Sequence, residues 1–445
     1  MADTIFFYLF MTISIIHMSH LGMYIVGANF YDIWQFSRQA NQKERRGRKA
    51  LVTVVVPAHN EERGIIKTLD SVCASSYKNI EIIVVDDGST DRTAQIVRNY
   101  IRTQTKIGLR TYRAGVGRNA RTRRQYIRLI EKYPKITLVT QENAGKGAAV
   151  NNGIKNFARG SLIMTLDADS TIYSDAIANT VRYFSDKKVI GVAANVRVMD
   201  DHSMLGVLQK IEHIIGYRTK KFYTVANCEF VVGGVASTYR MKTLKEVGYY
   251  DTDTQTEDIG LSMKIVARKG NRKWRIIYAA DVVAGTEGVQ TYKALFKQRY
   301  RWKMGMLQNL IKNRSLMTSR DKKYGRMMTA YRIPMAFIGE IILLTEPVLL
   351  AYILYLSVQQ MSLSAFIGAY IIITGYIIWT LVPDEHMKVL EKFKYGLLAP
   401  CMYFMFYVMN AVQITAMVRC LYNYKQVTGK VKTDGRWASP ERIAA

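Results

Sequence analysis

The chain has 445 residues and a formal net charge of +28, with 63 Lys and Arg against 35 Asp and Glu. This length allows one large domain and an accessory part. The four cysteines have neither metal-site nor redox-pair spacing, so the sequence indicates packing thiols. A charge this high raises the question of nucleic acid, but basic residues beside apolar runs more often hold a protein on anionic lipid. We therefore expect an anionic lipid partner and no nucleic acid.

Four long apolar runs predict a multi-pass plasma-membrane protein. The hydrophobic content is 49%, an ordinary figure for a soluble protein, but these runs approach or exceed the length that spans a hydrocarbon core. They cover residues 5–26, 331–358, 365–382 and 397–418. The first run lacks a basic leader and a cleavage site and continues to Phe36, which favours a retained transmembrane helix over 1–36.

A basic linker over 37–50 and a basic tail over 421–445 flank the predicted membrane segments. The positive-inside rule places both, and the domain between them, in the cytoplasm. Three crossings within 331–420 would put the tail outside, so one run is expected to lie in the interface or form a hairpin. Pro347 and Pro400 are the expected breaks.

The middle of the chain, residues 51–288, predicts an α/β domain with a parallel sheet. Apolar strands are predicted at 51–56, 80–85, 136–139 and 162–166, with helices opening after Glu62 and Thr90. The second of these helices is expected to end near Tyr100. Residues 101–135 are strongly basic and indicate an insertion, either a solvated surface or a contact with lipid or a partner.

Acidic residues follow two of the predicted strands, where α/β sheets bind ligands. Asp86 and Asp87 close one strand, and Asp167 and Asp169 follow another. A hard divalent cation takes carboxylate and phosphate oxygens, so one aspartate of the second pair is expected to bind metal and the other a ribose. A plain turn is the alternative, and the preceding apolar strand argues against it.

Glycines mark two further candidate binding segments. Lys146 lies between Gly145 and Gly147 before a helix over 148–157, so its ammonium group is expected to face a diphosphate near a helix N-terminus. Gly233 and Gly234 form either a plain turn or a small-residue wall against which a sugar hydroxyl rests.

Asp258, in Thr256-Glu257-Asp258, precedes a segment with helical apolar spacing. The helix dipole stabilises an acid in this first turn as its carboxylate. A carboxylate is a suitable general base for an acceptor hydroxyl in inverting transfer. Helix capping is an equally good reading of the spacing.

The sequence Gln298-Arg299-Tyr300-Arg301-Trp302 lies in a mixed apolar and basic stretch over 289–311, which is typical of an interfacial helix. Trp302 is suited to stacking on a sugar ring, and Arg301 to neutralising a diphosphate leaving group. A membrane-surface tryptophan is the alternative.

Taken in order, these motifs resemble the processive inverting glycosyltransferases of family 2, which include hyaluronan, chitin, cellulose and poly-β-1,6-N-acetylglucosamine synthases. The chain looks most like the bacterial poly-N-acetylglucosamine synthases. That resemblance lies in residues 192–198, 232–234, 246–250 and 437–442.

The resemblance implies a GT-A (Rossmann-like) cytoplasmic domain, Mg²⁺ or Mn²⁺, a UDP-sugar donor and a growing polysaccharide acceptor. It also implies interfacial helices over 289–330, export through 331–420, and room for a small membrane accessory subunit. The implied roles are catalysis for Asp258 and Glu257, nucleotide-sugar binding for Glu61, Asp86, Asp87, Lys146, Asp167 and Arg301, acceptor binding for Gly233, Gly234, Gln298 and Trp302, and metal binding for Asp169.

Two alternatives stay open at this point. One is a hyaluronan-type or chitin-type synthase, because the residues do not reveal the donor sugar. The other is a non-processive family 2 transferase that glycosylates a polyprenyl phosphate, which has no need of the segment from Gln298 to Trp302.

Overall fold

The computed structural model describes residues 2–42, 50–115, 135–199, 203–359, 361 and 363–431. The chain divides into two compact units. The helical unit comprises Met1–Asn41, Asp200–Glu229 and Gly288–Thr428, and the sheet unit comprises Gln42–Met199, Phe230–Glu287 and Gly429–Ala445. Residues 200–229, inside the predicted α/β segment, therefore belong to the helical unit.

Eight strands form one mixed sheet in the sheet unit. They are β1 Val52–Ala58, β2 Ile80–Asp87, β3 Lys135–Gln141, β4 Leu162–Thr165, β5 Thr171–Ile172, β6 Val189–Val198, β7 Ser237–Arg240 and β8 Arg275–Thr286. The strand order is β3-β2-β1-β4-β7-β6-β8-β5. The first four are parallel, as predicted, whereas β7 runs antiparallel to β4 and β6, and β5 antiparallel to β8. The predicted parallel sheet was therefore wrong for β5 and β7, two short strands that join the sheet antiparallel to their neighbours.

The described helices are α1 Ala2–Gln42, α2 Ile65–Cys73, α3 Thr93–Gly115, α4 Lys146–Asn152, α5 Ala176–Tyr183, α6 Met204–Val225, α7 Met241–Val247, α8 Glu257–Lys269, α9 Tyr292–Lys312, α10 Ile333–Gln359, α11 Ser364–Leu381, α12 Val389–Tyr422 and α13 Tyr424–Val427. Gly153–Phe157 continues α4, and Met327–Arg332 precedes α10, each as a π-helical turn.

The helix α3 continues through residues 101–115, so its predicted end near Tyr100 was wrong. The basic composition of this segment concealed its helical continuation. The remainder of the predicted insertion, 116–134, lies outside the described residues.

Strands β1 and β2 determine the edge of the sheet at which the candidate site lies. Every residue of β1 and β2 is buried, and most are β-branched, as expected for strands covered on both faces. Their register runs from Val52 opposite Ile80 to Ala58 opposite Asp86. The two strands therefore end level with each other, with Asp86 and Asp87 at that edge.

Among the described residues, three helical segments of the helical unit are long and apolar enough to cross a membrane, namely Thr4–Ser37, Met327–Gln359 and Val389–Tyr422. Phe366–Leu381 is a shorter apolar helix. Pro347 lies inside α10 and Pro400 inside α12, so the predicted breaks at these prolines did not occur. A helix continues past a proline when neighbouring groups satisfy the freed carbonyl.

Two glutamates within α10 have polar partners. Lys303 Nζ lies 2.6 Å from Glu340 Oε2, and the Asn410 side-chain amide donates to Glu346. A carboxylate facing lipid is unfavourable, so these partners account for the acids within an apolar helix.

Candidate active site

Asp87 fixes the loop that leads into α4. Its completely buried carboxylate accepts hydrogen bonds from Gln141 Nε2 at 2.7 Å and from the backbone N–H groups of Ala144 and Gly145, both at 2.9 Å. These donors make Asp87 an organiser of the loop. Asp86, beside it at the strand end, is also buried. The predicted nucleotide contact of either aspartate stays a prediction.

Lys146 joins three elements through its ammonium group. It begins α4, and its Nζ lies 2.7 Å from Asp167 Oδ1, after β4, and 3.6 Å from Glu257 Oε1, at the start of α8. Burial alone would lower the Lys146 pKa, but the carboxylates of Asp167, Glu257 and Asp258 raise it above its ordinary value. Lys146 is therefore a permanent cation among acids. We call Lys146, Asp167, Glu257 and Asp258 the lysine–acid cluster.

Gly234 lies directly against this cluster. A Cβ atom at Gly234 would be 2.9 Å from Lys146 Nζ and 3.6 Å from both Asp167 Oδ1 and Asp258 Oδ2. A Cβ at Gly233 would meet no atom within 4 Å among the described residues. The structure thus brings Gly234, but not Gly233, into contact distance of the predicted acids.

Asp258 has the electrostatic properties of a general base. It lies in the first turn of α8 and accepts a hydrogen bond from the Ile259 N–H at 2.8 Å. Burial and, after it, the Glu257 carboxylate raise the pKa of Asp258, the Lys146 ammonium opposes them, and the net pKa is about 6. A carboxylate with this pKa is ionised at neutral pH yet basic enough to take a proton in a transition state.

Asp169 and Glu61 both lie close to Gly64. A Cβ at Gly64 would be 3.2 Å from Asp169 Cα and 3.7 Å from Glu61 Oε2, so a side chain there would enter the space beside both acids. Asp169 Oδ1 accepts a hydrogen bond from Ser170 Oγ at 2.9 Å. Within the described part of the chain, no three His, Cys, Asp or Glu side chains group as a metal site.

The predicted acceptor residues Gln298 and Trp302, together with Arg301, lie on α9 in the helical unit. The exposed Arg301 is adjacent to the partly buried Trp302. The Gln298 Oε1 atom is buried and has no hydrogen-bond partner within the described residues.

Arg299 is a residue that sequence reasoning missed. Its guanidinium carbon lies 4.5 Å from the centroid of the Trp302 ring, and its NH1 and NH2 atoms donate to Glu212 at 3.0 and 2.6 Å. A forked ion pair of this kind holds the guanidinium plane, and the plane in turn orients the indole. Its partner lies 87 positions away, so the sequence carries no local signal for it.

Tyr250 is a second missed residue. Its backbone is held by Asn151, whose Nδ2 donates to the Tyr250 carbonyl at 2.8 Å and whose Oδ1 accepts from the Tyr250 N–H at 3.0 Å. Burial raises the pKa of Tyr250, and the nearby carboxylates of Glu257 and Asp258 add to the effect. The phenol therefore stays neutral beside the lysine–acid cluster.

Two family models match the chain over the region that holds these acids. The model described as "Glycosyl transferase family 2" matches residues 53–122, and that described as "Glycosyltransferase like family 2" matches 114–305. This chain belongs to the family 2 glycosyltransferases. The resemblance to family 2 glycosyltransferases is thereby confirmed.

Curated relatives carry a more specific name. A poly-beta-1,6-N-acetyl-D-glucosamine synthase of Staphylococcus aureus (strain COL) is 32% identical over 257 residues, which are 57% of this chain and 54% of that protein. The synthase of the same name in Staphylococcus epidermidis is 30% identical over 289 residues, 63% and 61% of the two chains. The matched region is thus less than two thirds of either relative's length.

The fold is that of GT-A glycosyltransferases, as predicted. A mannosyltransferase from Pyrobaculum calidifontis, solved in complex with GDP-Man and Mn²⁺, superposes with a TM-score of 0.56 over 91% of this chain and 99% of that chain. The identity is 19%, so this likeness concerns the fold alone.

We predict that Gly234→Ala lowers glycosyl transfer about 10-fold or more, because a methyl group 2.9 Å from Lys146 Nζ displaces the ammonium from Asp167. The lysine side chain is flexible, so thermal unfolding should change little. Gly233→Ala, the matched control, should retain wild-type rates. Equal rates for the two variants, measured as UDP release by purified protein, would contradict the placement of Gly234.

Proposed function

We propose that this protein is a membrane-embedded, processive, inverting glycosyltransferase that polymerises an N-acetylglucosamine-type sugar from a UDP-sugar donor and exports the polymer. The observation that carries the proposal is the gathering of Asp167, Glu257 and Asp258 around Lys146 beside the bare backbone of Gly234. The sugar class is taken from the staphylococcal relatives, which are named as poly-N-acetylglucosamine synthases.

Asp258 acts as the general base in this proposal. Its carboxylate takes the proton of the acceptor hydroxyl as the hydroxyl oxygen bonds to the anomeric carbon of the donor. The bond from that carbon to the diphosphate breaks at the same time, and UDP leaves from the opposite face. An α-linked donor therefore gives a β-linked product. Glu257 tunes the step, since its negative charge raises the Asp258 pKa.

Lys146 and Asp169 serve the donor. The Lys146 ammonium would face the diphosphate, and Asp169 would hold the Mg²⁺ or Mn²⁺ that neutralises it. A single carboxylate beside the acidic Glu61 suits this type of site, because such cations are usually bound by one or two carboxylates plus substrate phosphates. When bound, the cation neutralises charge on the diphosphate. The Mn²⁺ in the mannosyltransferase complex from Pyrobaculum calidifontis supports a metal-dependent reaction.

Trp302 serves the acceptor in this proposal. Because the Arg299 guanidinium is fixed by Glu212, the indole is held in one orientation and presents a flat apolar surface. Sugar rings stack well on such surfaces. The same helix carries the buried Gln298 amide oxygen, for which the described part of the chain offers no hydrogen-bond partner, and the exposed positive charge of Arg301.

The helical unit forms the membrane part, with the catalytic domain in the cytoplasm. Its three long apolar helices support a multi-pass arrangement. Anionic lipid neutralises the basic residues beside the spans. We include polymer export and a small membrane accessory subunit in the proposal, because the family resemblance implies the first and leaves room for the second.

The test is to incubate membranes containing the protein with single labelled UDP-sugars and divalent metal. UDP-N-acetylglucosamine alone should give a long product that a β-1,6-N-acetylglucosaminidase digests. A requirement for a second UDP-sugar would indicate a hyaluronan-type synthase instead. A product of one sugar on a polyprenyl phosphate would contradict processive synthesis.

Asp258→Asn should leave donor binding nearly intact while lowering transfer about 10²- to 10⁴-fold, the usual contribution of a general base. Donor binding is measured by calorimetry and transfer by polymer yield. Asp186→Asn, at an exposed turn of the same unit, is the control and should behave as wild type. Polymer yield near normal in Asp258→Asn would remove this residue from its role.

Trp302→Ala should shorten or abolish polymer more than it slows donor hydrolysis, because the indole serves the acceptor and not the donor. Trp274→Ala is a matched control, since Trp274 is also stacked by a cation, with Lys269 Nζ 4.7 Å from its ring centroid. Chain length is read by gel sizing and hydrolysis by UDP release. Parallel loss of both activities in Trp302→Ala would argue against an acceptor platform.

A further inference from the structure

The loop over residues 230–236, which carries Gly234, has neither helical nor strand structure. Ala236 within it adopts a φ of 53°, a left-handed conformation that is unfavourable for a residue with a Cβ atom. A segment in such a conformation keeps its shape only if its surroundings hold it. Contacts at both ends of the loop hold it next to the acids.

The Thr165 hydroxyl holds the loop near its C-terminal end. Thr165 is the last residue of β4, two positions before Asp167, and its buried Oγ1 donates to the Gly234 carbonyl at 2.9 Å. The Ser237 hydroxyl lies 2.9 Å from the same atom. The two buried hydroxyls of Thr165 and Ser237 thus adjoin each other and the backbone of Gly234.

The Ser262 hydroxyl holds the other end of the loop. Ser262 lies on α8, one turn after Asp258, and is completely buried. Its Oγ lies 2.5 Å from the Phe230 carbonyl oxygen, against 3.0 and 3.1 Å from the Ile259 and Asp258 carbonyls of its own helix, so the hydroxyl donates to Phe230 as its shortest hydrogen bond. The loop is therefore attached at one end to the helix that bears Asp258 and at the other end to the strand that leads to Asp167.

We infer that Thr165 and Ser262 are positioning residues for glycosyl transfer: their hydroxyls clamp the 230–236 loop to the two elements that carry the acids and so set the separation of Asp258 from Asp167 across Gly234. Neither residue touches the substrate. The inference rests on the proposed function, in which Asp258 is the base. The Tyr250 phenol lies beside Thr165, is also buried and stays neutral.

The experiment compares Thr165→Val, which removes the hydroxyl and keeps the shape, with Thr165→Ser, which keeps the hydroxyl. Thr165→Val should lower kcat about 10- to 100-fold, the usual effect of a misplacement near 1 Å, with an unchanged KM for the UDP-sugar. Thr165→Ser should restore most of kcat. Ser262→Ala should reproduce the loss of kcat from the other end of the loop.

Thr180→Val is the matched control. Thr180 is also a completely buried threonine that donates to a backbone carbonyl, that of Ala176 at 2.8 Å, but it lies within α5. Thr180→Val should lose about as much thermal stability as Thr165→Val and keep the wild-type kcat. A Thr165→Val enzyme with wild-type kcat, a Thr165→Ser enzyme as poor as Thr165→Val, or equal kcat losses in Thr165→Val and Thr180→Val would each overturn the inference.

Amide hydrogen exchange tests the clamp without turnover. Exchange over 230–236 should rise in Thr165→Val and Ser262→Ala and stay at the wild-type level in Thr180→Val. If amide exchange over 230–236 is unchanged in both Thr165→Val and Ser262→Ala, the inference is wrong. This outcome does not depend on whether the protein uses a UDP-sugar. A wild-type protein that transfers no sugar would contradict the proposed function instead, so the two failures are distinguishable.

Discussion

The charge balance around Lys146 is the constraint on which the candidate site depends. Three carboxylates, from Asp167, Glu257 and Asp258, face one ammonium group. Opposite charges about 4 Å apart attract with about 4 kcal/mol at an effective dielectric constant near 20, and like charges repel to the same extent. Without the lysine, the three carboxylates would repel one another with nothing to offset that repulsion. With it, the attraction to the ammonium group offsets the repulsion and the carboxylates stay close together.

Each part of the sheet unit contributes to this arrangement. The parallel strands place Asp167 at their carboxyl edge, and Asp87 anchors the loop from which Lys146 enters α4. The helix α8 presents Glu257 and Asp258 in its first turn, where its dipole favours negative charge. Gly234 has no side chain and therefore leaves room for the Lys146 ammonium group. The chemistry thus depends on backbone elements far apart in sequence and close in space.

The sequence was sufficient to predict elements whose signal is local. Apolar β-branched runs predicted β1, β2, β3 and β4, and the acids after them were assigned to a ligand edge before their geometry was known. Long apolar runs predicted helices long and apolar enough to cross a membrane, although Pro347 and Pro400 suggested breaks that the helices do not have. The basic residues of 101–115 likewise concealed the full length of α3.

Other features depended on contacts that no local pattern encodes. Gly233 and Gly234 are equivalent in sequence, and only the packing of α4 and α8 distinguishes them. The partner of Arg299 is 87 positions distant, and Thr165 reads as an ordinary strand residue until its bond to Gly234 is seen. Side-chain partners across a fold are set by topology, so the supporting residues of a site are harder to predict than its acids.

The pH dependence of kcat in Lys146→Met, at saturating UDP-sugar, tests the central claim most directly. Asp258 must be ionised to act as a base, and the Lys146 ammonium lowers its pKa. Removing that charge should raise the Asp258 pKa, so the acidic limb of the profile should move to higher pH by about one unit or more. Lys155→Met, a control on the same helical segment, should leave the limb in place. A Lys146→Met profile with an unmoved acidic limb would contradict the account, because the lysine would then not control the charge of the base.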